Sequence, residues 1–180
     1  LFEQSEHIHK LSQRYHRPFS LALLDIDHFK LINDRFLHET GDLVLKQVAQ
    51  ILQLCLREAD LLARYGGEEF AILLPETSLE NAVLACERLR KAIEIYPWSS
   101  IHPDLSVTAS IGVALGNANY QQPDEILRDA DIAMYRAKQE GKARYALFDQ
   151  AMHQEVRARF SLESDLRRAL SQQEFRVYYQ

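Results

Sequence analysis

The chain has 180 residues, 47% of them hydrophobic, with a formal net charge of −5 and a pI near 5.8. That length and apolar content suit one ordinary domain with an appendage and a sizeable core, and exclude a disordered tail. The acidic balance argues against a non-specific nucleic-acid binder, and no apolar stretch is long enough to span a bilayer.

Residues 1–16 read as a helix stopped by Pro18. FSLALLDID (19–27) is a short apolar run ending in acids, the pattern of a buried strand feeding a loop. HFKLINDRF predicts a helix, HETGD (38–42) a break, and LVLKQVAQILQLCL (43–56) a helix with Val44, Val48, Ile51 and Cys55 on one face. DLLARY (60–65) and EFAILLP (69–75) predict two strands joined by a two-residue turn at Gly66-Gly67. A helix over 79–95 is capped by Ser78 or Thr77 and ends before Pro97, and a loop with Trp98 leads to a strand, VTASIGVAL (107–115). A helix over 124–139 enters through Pro123, and ARYALFD (143–149) is the last strand of the domain. Crossovers mixed with one hairpin predict an α/β sheet that is not purely parallel. Residues 150–173 form a charged amphipathic linker helix, and EFRVYY (174–179) opens a strand with no partner after it, within a start of a second domain at 174–180. Cys55 and Cys86 read as free thiols of a reducing cytosol. With no signal-peptide pattern, a cytoplasmic location is expected, and a parent protein is free to be anchored through other regions.

Asp25 and Asp27 lie at the C-terminal end of the first strand, where such sheets present ligand-binding groups, and Glu68 and Glu69 follow the glycine pair. If the hairpin pairs beside the first strand, Asp25 and a turn glutamate converge. Converging carboxylates repel unless a cation neutralises them, and hard oxygen ligands select Mg²⁺, with Mn²⁺ as the alternative. Glycines at 66 and 67 would give a phosphate or base room to approach the backbone. Taken alone, GGEE suits a solvated acidic turn equally well.

RYGGEEF (64–70) stands in register with LLDIDHFKLIND (23–34), TGD (40–42), SIGVAL (110–115) and ADIAMYRAKQEGK (130–142). Together these resemble the GGDEF family, the diguanylate cyclases, over roughly residues 1–149. The resemblance implies an α/β (α+β) nucleotidyl-cyclase or palm-like, ferredoxin-type fold, with a mainly antiparallel sheet and the signature on a β-hairpin. It implies condensation of two GTP into cyclic di-GMP and two pyrophosphates, one GTP held by each of two domains meeting face to face. Asp25, Glu68 and the Ile26 carbonyl would ligate the metal; Glu68 would also serve the ribose 3′-hydroxyl, and Glu69 would support the site. Asn33 and Asp42 would read guanine, with helix capping as their ordinary alternative. Lys138, Lys142 one helical turn on, and Lys30 would hold the triphosphate; a solvated helix end is the bland alternative. His38 reads as structural or solvated.

Arg57 and Asp60 form an RxxD five residues before Gly66, and with Arg88 match the family's product-inhibition site for cyclic di-GMP. Three departures stand out. Leu37 replaces the family's usual glycine and is expected to narrow or reshape the guanine pocket. Lys142 stands where arginine is common, and Ala143, read as a minor change, where asparagine is frequent. The tail LESDLRRALSQQEFRVYYQ resembles the bridge into an EAL domain, of which only the opening strand is present. The implied partners are therefore GTP, cyclic di-GMP, a second GGDEF domain and an adjoining EAL domain, and no nucleic acid. The alternative reading is a weak or inactive GTP- or dinucleotide-binding module that regulates the EAL domain.

Overall fold

The structure is a computed structural model that describes residues 18–116, 120, 122–153, 169–170 and 172. The helix expected over 1–16, most of the linker helix and the strand at 174–179 lie outside the described residues. The chain divides into two compact units, Leu1–Phe148 and Asp149–Gln180. In the second, residues 150–153 and 169–170 are helical.

The described residues of the first unit form a five-stranded sheet of order β2-β3-β1-β4-β5 with β1 (Phe19–Ile26) at its centre. β2 (Leu61–Arg64), β3 (Glu69–Pro75), β1 and β4 (Ala109–Gly116) pair antiparallel, and only β5 (Tyr145–Leu147) runs parallel, to β4. The expected mainly antiparallel α+β sheet is thus what forms. Every residue of β1 is buried, as a strand with neighbours on both sides and helices on both faces requires. Alternation divides the core. Ala22, Leu24, Ile26, Phe70 and Ile72 pack with α1 (Phe29–Cys55) and α2 (Leu79–Ile95), whereas Leu21, Leu23, Ala71 and Leu73 pack with Leu127, Ala130 and Met134 of α3 (Pro123–Gln139). Asp25 continues the second series and therefore belongs to the α3 face.

The helices follow their apolar periodicity. Val44, Val48 and Ile51 are buried as the spacing predicts, and Ser78 caps α2 by accepting from the Asn81 N–H at 3.4 Å. Thr77 instead donates to the Pro75 carbonyl at 2.8 Å. Both cysteines are free thiols, and burial pushes the Cys86 thiol up to about 12.

Three local expectations need correction. HETGD is helical, because α1 resumes at once after a break at Leu37 alone. The hairpin turn is wider than two residues: the Tyr65 and Gly66 amides both donate to the Glu69 carbonyl, at 2.8 and 3.3 Å, so Gly66, Gly67 and Glu68 form the tip. Lys142 is not a helical turn beyond Lys138, since α3 ends at Gln139. Past it, φ is positive at Gly141, Lys142 and Ala143 in succession, and the Lys142 N–H bonds back to the Ala137 carbonyl at 3.0 Å, a Schellman closure. Asparagine tolerates this left-handed backbone better than alanine does, so Ala143 at φ 48° carries more strain than a minor change would.

Leu37 also has a backbone consequence beyond the one expected. Its backbone sits at φ 70°, ψ 159°, a region nearly restricted to glycine, while its side chain is 71% exposed. Glycine suits this position because of the backbone. Such a residue costs about 1–3 kcal/mol, partly offset by glycine's larger loss of chain entropy. Leu37→Gly is therefore expected to stabilise the protein by about 1 kcal/mol, raising Tm by about 2–4 °C in calorimetry.

Candidate functional site

The register of the central strands assembles the site. Asp25 lies directly across from Glu69 on one side and Ser110 on the other, and the Ile26 N–H donates to the Glu68 carbonyl at 3.3 Å. The hairpin therefore delivers both signature glutamates to the end of β1. From the opposite layer, α3 sets the Lys138 Nζ 2.7 Å from Asp25 Oδ2. Asp25 is 5% exposed, so its end of the ion pair is largely withdrawn from water, while Lys138 keeps part of its side chain in solvent.

One ammonium does not balance the acids around it. Burial pushes the Asp25 carboxyl above the usual carboxylate range, against the hydrogen bond and charge of Lys138. Glu68 and Glu69 are raised by desolvation first and then by the Asp25 charge. Asp131, on α3 two turns before Lys138, is raised by desolvation as well. Four carboxylates that resist ionising around one lysine form a site short of positive charge. No group of three or more His, Cys, Asp or Glu side chains among the described residues is arranged to hold a metal unaided. The donor set at hand is two carboxylates, Asp25 and Glu68, with the neighbouring Ile26 carbonyl. That partial oxygen set fits Mg²⁺, which typically takes one or two carboxylates and completes its shell with water and phosphate.

The hairpin tip is braced from within. Arg64 Nη2 donates to the Gly67 carbonyl at 2.6 Å, and its Nε to the Gly66 and Gly67 carbonyls at 3.2 and 3.1 Å. A cavity of about 380 Å³, bordered by Leu23, Tyr65, Glu69, Leu127, Arg128 and Asp131, opens beside it. Around Gly67 there is space on the Cα: a Cβ there would meet nothing within 4 Å.

A second part of the site lies on α1. Asn33 Oδ1 is buried with no hydrogen-bond partner, and it rests against Gly41, where any Cβ would collide with it. An unmet buried acceptor is costly. Asp42 follows Gly41 and is exposed, as is Lys30 in the first turn of α1. His38 is exposed, in keeping with a solvated residue.

The RxxD residues form a compact turn. Asp60 Oδ2 accepts the Arg57 N–H at 2.8 Å, and the Asp60 N–H donates to the Arg57 carbonyl at 3.0 Å. Arg88 Nη2 reaches from α2 to the Cys55 carbonyl at 2.9 Å, beside that turn. The structure thus gathers Asp25, Glu68, Glu69 and Lys138 in one place, Asn33 with Gly41 in another, and Arg57, Asp60 and Arg88 at the C-terminal end of α1. Sequence reasoning missed Arg64 and Asp131. The signal for Asp131 was its spacing of seven from Lys138, which puts both on one helix face. Arg64 carried none, because its partners are backbone carbonyls.

A family model described as "Diguanylate cyclase, GGDEF domain" matches residues 1–144. The chain is 46% identical over 143 residues to the diguanylate cyclase DgcP of Pseudomonas aeruginosa, covering 78% of this chain and 21% of that protein. It is 35% identical over 164 residues to the bifunctional diguanylate cyclase/cyclic di-GMP phosphodiesterase MucR of the same organism, covering 91% of this chain and 24% of that protein. The active GGEEF domain of a diguanylate cyclase from Vibrio cholerae superposes with a TM-score of 0.79 at 31% identity, over 83% of this chain and 95% of that one. The chain spans between about a fifth and two fifths of the length of the curated relatives it matches.

Proposed function

Because the chain belongs to the GGDEF family of diguanylate cyclases, we propose that it is itself a diguanylate cyclase domain, joining two GTP into cyclic di-GMP with loss of two pyrophosphates. The observation that carries this reading is the unbalanced acidic site at the hairpin, Asp25 with Glu68, Glu69 and Lys138. Asp25, Glu68 and the Ile26 carbonyl would hold Mg²⁺, or Mn²⁺ in its place, which when bound would neutralise phosphate charge and lower the pKa of the ribose 3′-hydroxyl. Glu68 takes the proton as the 3′-oxygen attacks the α-phosphorus of the other GTP, and Glu69 keeps the carboxylate cluster in place. Lys138, Lys142 and Lys30 bind the β- and γ-phosphates and hold pyrophosphate as it leaves. Each domain contributes one nucleotide, so the reaction needs a second copy opposite the first. We assign residues 1–149 to this domain, 150–173 to a linker helix and 174–180 to the start of an EAL domain.

The orphaned Asn33 Oδ1 supports guanine over adenine. It accepts from a guanine N–H, and Asp42 accepts from the adjacent N1–H or N2 amino group, whereas adenine would leave these acceptors badly paired. Gly41→Ala places a Cβ on Asn33 Oδ1 and displaces it. The expected result is a loss of GTP affinity of about 10²-fold with ATP affinity little changed, measured by titration calorimetry.

Product binding at Arg57, Asp60 and Arg88 is the proposed brake. Asp60 is held as a turn acceptor and Arg57 is exposed, which leaves its guanidinium for phosphate or guanine oxygens. The deciding experiment incubates concentrated protein with Mg²⁺ and GTP and separates the nucleotides by chromatography. Cyclic di-GMP in the product establishes the reading. GTP bound but unconverted, by this chain and by the full-length protein alike, would replace it with a regulatory module acting on an adjoining EAL domain.

A further inference from the structure

We propose that Asp27 is a positioning residue that fastens the segment carrying Lys142 to the end of β1, keeping a triphosphate-binding cation in register with Asp25 and Glu68. The inference rests on the GTP-site reading and assigns a role to an acid that reading leaves unused. Asp27 is 4% exposed, and donors of its own chain occupy its carboxylate. Oδ1 accepts from the Ser110 hydroxyl at 2.6 Å; Oδ2 accepts from the Thr108 hydroxyl at 2.8 Å and from the Ala143 N–H at 3.0 Å. Its own N–H donates to the Thr108 carbonyl at 2.9 Å. With both oxygens so engaged, Asp27 is turned to the fold, while Asp25 two residues earlier is turned to Lys138.

The tie to Ala143 matters because of where it falls. Lys142 and Ala143 hold φ of 62° and 48°, a left-handed pair of non-glycine residues that persists only when its surroundings over-determine it. On the helix side the Lys142 N–H is held by the Ala137 carbonyl at 3.0 Å, and on the sheet side the Arg144 carbonyl accepts from the Ile111 N–H at 2.9 Å. Between these two, a 3.4 Å bond from Arg144 Nε to the Lys142 carbonyl ties the segment only to itself, whereas the Asp27 bond ties it to the end of the strand that bears Asp25. An acid suits the task because all three donors need acceptors. Asparagine would turn an amide NH₂ on one of them.

The test uses 3′-deoxy-GTP, which lacks the attacking hydroxyl and so binds without turnover, and guanosine, which lacks phosphates. Asp27→Asn is expected to weaken 3′-deoxy-GTP about tenfold while changing guanosine less than twofold, and to cause no further loss when combined with Lys142→Ala. Equal weakening of both ligands would make Asp27 a general structural residue and overturn the proposal, as would multiplicative losses in the double variant. Should Asp27→Asn not fold, amide exchange of the unaltered protein decides. The Ala143 amide is expected to exchange as slowly as those of β4, and exchange at the rate of an open loop overturns the tie. A wild-type protein that binds neither ligand would instead sink the GTP-site reading itself.

Discussion

Glu68→Gln is expected to lower cyclic di-GMP formation by at least about 10³-fold, the scale on which losing a charge that acts at the reacting centre is felt. GTP binding should weaken only a few-fold, because Asn33, Asp42 and the lysines remain. The substitution keeps the shape of the side chain and removes a charge that the fold tolerates poorly, so it should not unfold the protein. Its pH signature follows from linkage. Asp25, Glu68, Glu69 and Asp131 have folded pKa values raised above their ordinary ones. The native state thus binds protons more tightly than the unfolded chain, and stability falls as pH rises from the ordinary carboxylate range through the raised values. Scanning calorimetry without metal should show Tm decreasing across that window, and Glu68→Gln should flatten the decrease. Added Mn²⁺ should raise Tm more at pH 7.5 than at pH 4.5, because a cation stabilises the ionised carboxylates that the fold alone does not. A Mn²⁺ effect independent of pH would contradict the assignment of these acids.

The sequence made the sheet legible because its apolar runs have strand period and strand length, and the central strand is flanked by acids only at its end. The convergence of Asp25 with the hairpin glutamates followed once β3 was placed beside β1. What the sequence did not display were contacts made by the backbone. Leu37 suggested lost pocket space because it stands in for a glycine, and its φ of 70° adds a backbone reason for glycine that residue type alone does not show. HETGD looked like a break because threonine, glycine and aspartate favour loops, yet those residues are helical, with Gly41 seated against Asn33. The wide hairpin tip depends on Arg64 gripping two carbonyls, and no pattern of residue types announces that grip. Asp27 was visible as an acid beside Asp25, but only its three donors separate a residue that holds the fold from one that is free to hold a ligand.

Lys138→Met should separate two roles that one side chain plays, by moving two affinities in opposite directions. In this structure the Lys138 ammonium is the counter-ion of Asp25, at 2.7 Å, so a divalent cation approaching without nucleotide must compete with it. Bound triphosphate would change the balance, because its oxygens would offer the lysine a new partner while a metal took its place at the carboxylate. By reciprocity, whatever nucleotide does for metal affinity, metal does equally for nucleotide affinity. Removing the ammonium should therefore tighten Mn²⁺ binding in the absence of nucleotide by about tenfold, ~1.4 kcal/mol, while weakening 3′-deoxy-GTP with Mn²⁺ by a similar factor. The apoprotein should lose about 2 kcal/mol, less than the cost of stranding a wholly buried charge because Lys138 keeps some water, and Mn²⁺ should restore much of it. Paramagnetic resonance of free Mn²⁺ reads the first affinity, and calorimetry the second and the stability. If both affinities fell together, Lys138 would be only an orienting contact, and the site would have to draw its metal in by some means other than this exchange of partners.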